Sequence, residues 1–179
     1  MAEVIERDDM SQVVPRHGVA LLLDRIATLF TMLGGLTFCA LIVMSIVSIV
    51  GRKLFATPVQ GDVELMQMGA AVGSAAFLPL CELHDHNIKV DALTGWMSLR
   101  NRAWLDTAAH LLLSVAAALI TWRTWLSVID GRSSGEVSTL LAIPMWQPVA
   151  LLVPSFALLV LCGLYRTGRS FASATGGAP

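Results

Sequence analysis

The side chains able to do chemistry in this chain fall into three small groups. His84, Asp85 and His86 stand side by side, and imidazoles around a carboxylate are the raw material of a metal centre or a general base. Histidines two apart point to different faces of a helix, however, and no cysteine or third histidine follows at ligand spacing, which disfavours metal binding. Asp106 and His110 lie four apart, with Arg102 four residues before Asp106, a spacing that lines up all three on one helical stripe. His110 falls about two turns inside the third span expected near 104–125, where an ionisable group is costly unless paired. A proton relay would use such a pair, but one pair near one end makes no path across a membrane, and a structural bond between helices is the favoured reading. Glu64 and Glu82 bracket another apolar run. Both are expected at headgroup level within reach of water. Glu64 has a more specific reading as the group near a helix N-terminus that holds loop backbone or the Arg52 side chain.

The elements that must position these groups are apolar and long. From Ile26 to Val50 the chain carries no charge, and about 25 residues at about 1.5 Å each cross a hydrocarbon core roughly 30 Å thick with some tilt. Three more apolar runs follow, Leu65 to Cys81, Thr107 to Trp122 and Val137 to Tyr165. Four spans in 179 residues leave little chain for a soluble domain, and 55% hydrophobic against 14% charged residues agrees; a mean hydropathy of +0.70 is that of a membrane protein. The expected fold is all-α: four transmembrane helices plus a short interfacial amphipathic helix. The last rests on the stripe Val90, Leu93 and Met97 with Trp96 beside it.

The acidic, polar start of the chain and the length of the first apolar run predict an uncleaved span in place of a signal peptide. Cys39, Cys81 and Cys162 each sit alone in an apolar run and form no CxxC pair, so they read as small packing residues. A net charge of −1 excludes the dense basic surface that nucleic acid needs. Charge placement sets orientation. Arg7, Arg16, Arg25, Lys89, Arg100, Arg102, Arg166 and Arg169 fall on one side, and Arg52, Lys53, Arg123 and Arg132 on the other. Eight against four predicts both termini in the cytoplasm. Trp96 and Trp104 flank the start of the third span, while Trp122, Trp125 and Trp146 surround the opposite loop, as interfacial belts do.

Between spans, Pro58 and Gly61 supply a turn before Glu64. The segment DGRSSGEVS is expected to be a flexible polar loop. Pro148 suits the first turn of the fourth helix, and Pro154 is expected to kink it. In the second span, Gly69 and Gly73 within GAAVG let another backbone approach closely, a contact face whose partner is left open. Gly34 and Gly35 in the first span either serve the same way or simply relax that helix. No internal repeat is present, so an inverted-repeat transport core is not visible.

The order of these features resembles a family. A first span ending in GRKLF, a proline-containing turn, Glu64 with Leu65 opening the second span, and HNIKVDAL after it are similar to the small membrane subunit (DctQ type) of tripartite ATP-independent periplasmic (TRAP) transporters. Arg52 and Phe55, Glu64 and Leu65, and His86 with Ile88, Val90 and Asp91 fall at the family's motif positions, with Asn87 as a departure between His86 and Ile88. The resemblance covers roughly Val19 to Tyr165.

It implies a static scaffold and anchor in a sodium-coupled secondary transporter. A large TRAP membrane subunit would carry the substrate and sodium sites and move elevator-fashion. A periplasmic binding protein would deliver an organic acid. The expected layout is a cytoplasmic tail over 1–18, a membrane domain over 19–166 with spans near 26–50, 63–83, 104–125 and 146–165, and a cytoplasmic tail over 167–179. The expected location is the bacterial inner membrane. No enzyme activity, and no cofactor or metal in this chain, is expected. Walker, nucleophile-elbow and broken-helix signatures are lacking. The residues expected to matter for structure or interfaces are Arg52, Phe55, Glu64, Gly69, Gly73, His86, Val90, Asp91, Asp106 and His110. The alternative is a haem-b-binding membrane anchor of a redox enzyme, with His84 or His86 and His110 as ligands. A hydrolase built on His84, Asp85 and His86 is a weaker third reading.

Overall fold

The computed structural model describes residues 18–55, 59–84 and 99–175. They form four helices: α1 Val19–Phe55, α2 Asp62–Leu83, α3 Leu99–Ser134 and α4 Trp146–Ala174. Each is long and apolar enough to cross a membrane. A helix satisfies its own backbone hydrogen bonds, which is what hydrocarbon demands of a spanning segment. No strand occurs among the described residues. The interfacial helix expected around Val90, Leu93 and Met97 lies outside them.

The helices outrun the uncharged runs that announce them. With 37 residues α1 is about 55 Å long, well beyond the hydrocarbon thickness. α3, at 36 residues, also projects from the bilayer. The polar segment after Ile129 is not the open loop its composition predicts: Asp130 to Ser134 continue α3. Gly135, at φ 67°, then takes the left-handed conformation that ends a helix without a Cβ clash.

The packing order is α3, α4, α2, α1. α4 lies against both α3 and α2, α2 carries α1, and α1 meets α4 only marginally; α2 and α3 have no backbone approach. The result is a row more than a closed bundle, and most large apolar side chains face outward, Met32 and Leu36 at about two-thirds exposure. Lipid is an apolar solvent, so such exposure carries no hydrophobic penalty, and the helices must associate by close packing and polar bonds.

Small residues supply the close packing. A Cβ on Gly34 of α1 would lie 2.9 Å from Ala76 Cβ and 3.0 Å from the Gly73 carbonyl oxygen of α2. Gly69 and Gly73 in turn receive Leu41 and Phe38, and Phe38 stacks on Phe77 with ring centroids 5.9 Å apart. The GAAVG face is therefore the seat of α1. Gly35 faces open space. On the other flank Gly163 of α4 lies beneath the Ser114 hydroxyl of α3. A compact apolar core joins α1, α2 and α4 near the end of α2, built from Leu23, Ala27, Leu83, Leu158 and Cys162.

Candidate functional site

The polar side chains form braces at the two ends of α2. At its C-terminal end, Glu82 is only 1% exposed and lies 2.6 Å from His110 Nδ1 of α3, itself 5% exposed. An ionised carboxylate can only accept, so the imidazole N–H donates. The bond joins two helices with no backbone contact. Gly163 makes the span possible, because α3 can settle onto α4 at Ser114, whose hydroxyl bonds back to the His110 carbonyl at 2.7 Å. Glu82 is thus not within reach of water, contrary to what its position at the end of an apolar run implies. Its face of α2 turns inward beside the core, where water is replaced by an imidazole.

Two residues on, His84 Nε2 lies 2.7 Å from Asp24 Oδ1 of α1, with both side chains about one-third exposed. These two carboxylate–imidazole pairs tie α1 and α3 to the same turn of α2. Asp106, partly buried, lies one turn before His110. The Arg102 side chain is not among those described. His86, Val90 and Asp91 fall outside the described residues.

The N-terminal end of α2 is braced by carboxylates and backbone. Asp62 accepts the Ser48 hydroxyl of α1 at 2.5 Å and its neighbour Val63 N–H at 2.8 Å, and it faces Arg52 at 3.5 Å. Glu64 accepts the Ser138 hydroxyl at 2.7 Å, Leu140 N–H at 2.9 Å and Leu141 N–H at 3.2 Å. Glu64 therefore binds loop backbone, and Arg52 goes to Asp62. The loop so held is knit by Ser138 N–H to Ile143 O at 2.8 Å and Met145 N–H to Glu136 O at 3.0 Å. Leu141 closes over Gly61, whose φ of 73° also starts α2. Phe55 is exposed at the end of α1.

Several braces have no counterpart in the sequence reading: Asp24 with His84, Ser48 with Asp62, and Glu82 as the partner of His110. One local signal exists for the second, since Ser48 and Arg52 are four apart on one stripe and both reach Asp62. The other two join residues 60 and 28 positions apart in sequence.

Among the described residues no group of three His, Cys, Asp or Glu side chains is placed to hold a metal ion. Cys39, Cys81 and Cys162 are free thiols, and Cys162 is buried in the core. His84 and His110 each face a carboxylate, and no observation favours the haem alternative. What the arrangement does is hold four helices in fixed register.

Residues 41–173 match the family model described as tripartite ATP-independent periplasmic transporters, DctQ component. The chain belongs to the DctQ family. It is thereby a TRAP small-subunit sequence, a component of a transporter and not of an enzyme family, and an inner-membrane component whose four apolar helices fit a multi-pass protein. The DctQ match begins midway along α1 and takes in both ends of α2, so Ser48, Asp62, Glu64, Glu82 and His110 all lie inside it, whereas Asp24 does not. No curated protein and no solved structure matches the chain.

Proposed function

We propose that this DctQ component is the static scaffold and membrane anchor of a sodium-coupled TRAP transporter that imports an organic acid. A large membrane subunit carries the sodium and substrate sites, a periplasmic binding protein delivers the substrate, and this chain contributes no cofactor. The observation that carries the reading is the use made of its polar groups. Ionisable residues at membrane depth commonly mark pathways, yet Glu82 and His110 are bonded to each other between two helices. Glu64 and Asp62 are likewise spent on loop and helix ends. Such cross-bracing suits a body that stays fixed while a neighbour moves. Reconstituted alone under a sodium gradient, the chain should move no organic acid; robust uptake by the isolated chain would refute the scaffold reading.

Orientation follows from the Lys and Arg distribution, which favours cytoplasmic termini and places the Glu64-held loop on the periplasmic face. In a background lacking Cys39, Cys81 and Cys162, a Ser133→Cys variant should be labelled from outside by a membrane-impermeant thiol reagent, because Ser133 is exposed at the end of α3. A Ser11→Cys variant should stay unlabelled in intact cells. The reverse pattern would invert the topology.

A further inference from the structure

A cleft of about 540 Å³ opens between α2 and α4 beneath the loop that Glu64 holds. We propose that it binds one phospholipid with an ethanolamine headgroup. The walls are two faces at matching spacing: Glu64, Gln67, Met68 and Ala71 on α2, and Met145 at the start of α4 with Pro148, Val149 and Leu152 on it. Along α2 the lining passes from polar at Glu64 and Gln67 to apolar at Met68 and Ala71. The loop adds Glu136, Ser138 and Thr139 to the polar end. That end lies at the start of both helices, where Trp146 carries Arg132 over its ring at 5.6 Å, the setting of an interfacial aromatic. The cleft therefore repeats the polarity gradient of the bilayer leaflet beside it, headgroup level above and acyl level below.

Charge selects among lipids. Glu64 and Glu136 put two carboxylates at the mouth, and the lining includes no lysine or arginine among the described residues. An ammonium headgroup complements that mouth and a net-anionic lipid is repelled by it. Glu64 is engaged by the Ser138 hydroxyl and the loop amides, so it contributes its charge to the mouth, and Glu136, whose side chain is exposed, is the carboxylate left to meet the ammonium. The Gln67 amide and Thr139 hydroxyl are neutral donors for the phosphate.

A second cleft of about 470 Å³, among Thr37, Met44, Leu65, Val72 and Leu151, is apolar almost throughout and has no such charged end.

The test is native mass spectrometry of the full chain in detergent, titrated with palmitoyl-oleoyl phosphatidylethanolamine and with phosphatidylglycerol of the same chains. One equivalent of the ethanolamine lipid should bind about fivefold more tightly than the glycerol lipid, the scale of a pair of rim charges. Glu136→Gln, on an exposed side chain, should remove that preference while helix content is unchanged. Ala71→Phe should block the acyl arm and weaken both lipids. Equal binding of the two lipids by the wild-type chain would overturn the proposal, as would indifference to either substitution. In the complex with the large membrane subunit, a photoreactive group placed at Gln67 should cross-link lipid. Cross-linking of the subunit alone would assign the cleft to a protein interface and also overturn it.

Discussion

Gly34→Leu should leave the chain in the membrane and yet make it heat-labile in detergent. Leucine favours lipid more than glycine does, so insertion is preserved. The new side chain, however, would meet the Gly73 carbonyl oxygen 3.0 Å from its Cβ and Ala76 Cβ at 2.9 Å. A backbone atom cannot swing aside, so α1 must lift from α2. Overpacking of this kind costs about 1–3 kcal/mol, and because apolar burial gives no compensation in lipid, α1 has few other holds. They include the Leu23 and Ala27 contacts with the core and the Asp24 and Ser48 braces at its two ends. Gly69→Leu combined with Gly73→Leu should act in the same direction, against Leu41 and Phe38, but those are side-chain atoms and not backbone. Gly34→Leu should therefore lower the midpoint by more per substitution, about 5 °C or beyond. In a background lacking Cys39 and Cys81, a thiol-reactive fluorogenic dye reads the transition, because Cys162 is buried in the core. A Gly34→Leu chain that inserts and melts like the wild type would show that the α1–α2 contact is not what holds α1.

The second large effect is expected at the buried pair. His110→Ala should destabilise the chain by about 3 kcal/mol or more, since it leaves the Glu82 carboxylate buried without its imidazole. The loss exceeds that of an ordinary hydrogen bond, because a buried carboxylate loses its imidazole partner. Replacing both, Glu82→Leu with His110→Leu, should recover a large part of the stability, because an apolar pair of similar volume strands nothing. Midpoints of the two single variants and the double variant in the same detergent make the cycle. If the double variant is as unstable as the sum of the singles, the two side chains are not acting on each other. The pair also sets the spacing of α2 and α3 across α4, so a restored midpoint need not restore assembly with a partner.

The spans are legible in the sequence because hydrocarbon imposes one simple rule on composition, and the runs from Ile26 and Leu65 obey it visibly. Their full lengths are less so: α1 and α3 continue through Arg52 and Asp130 because an established helix propagates into polar residues outside the bilayer at little cost. The contact face at Gly69 and Gly73 is visible as small residues one turn apart, but its occupant is decided by where α1 returns, which spacing along α2 does not encode. Glu82 misleads for a related reason. A charge at the end of an apolar run looks the same whether it meets water or the imidazole of a helix not yet reached, and only the row order α3, α4, α2, α1 turns it inward. For Asp106 and His110 the favoured reading is a bond between helices, and His110 makes one, but spacing could not name its partner: the carboxylate 2.6 Å from His110 Nδ1 belongs to α2. Glu64 is readable as a polar group near a helix start. That it gathers two loop amides and a hydroxyl 74 to 77 residues away depends on the hairpin-like turn between Val137 and Pro144.

The scaffold claim is tested most directly by leave-one-out reconstitution. Proteoliposomes containing the large membrane subunit and this chain, supplied with the binding protein, its organic acid and a sodium gradient, should take up the acid. Omitting this chain should abolish uptake, and this chain without the large subunit should transport nothing. Uptake that persists at full rate without this chain, or that this chain supports by itself, would contradict the account.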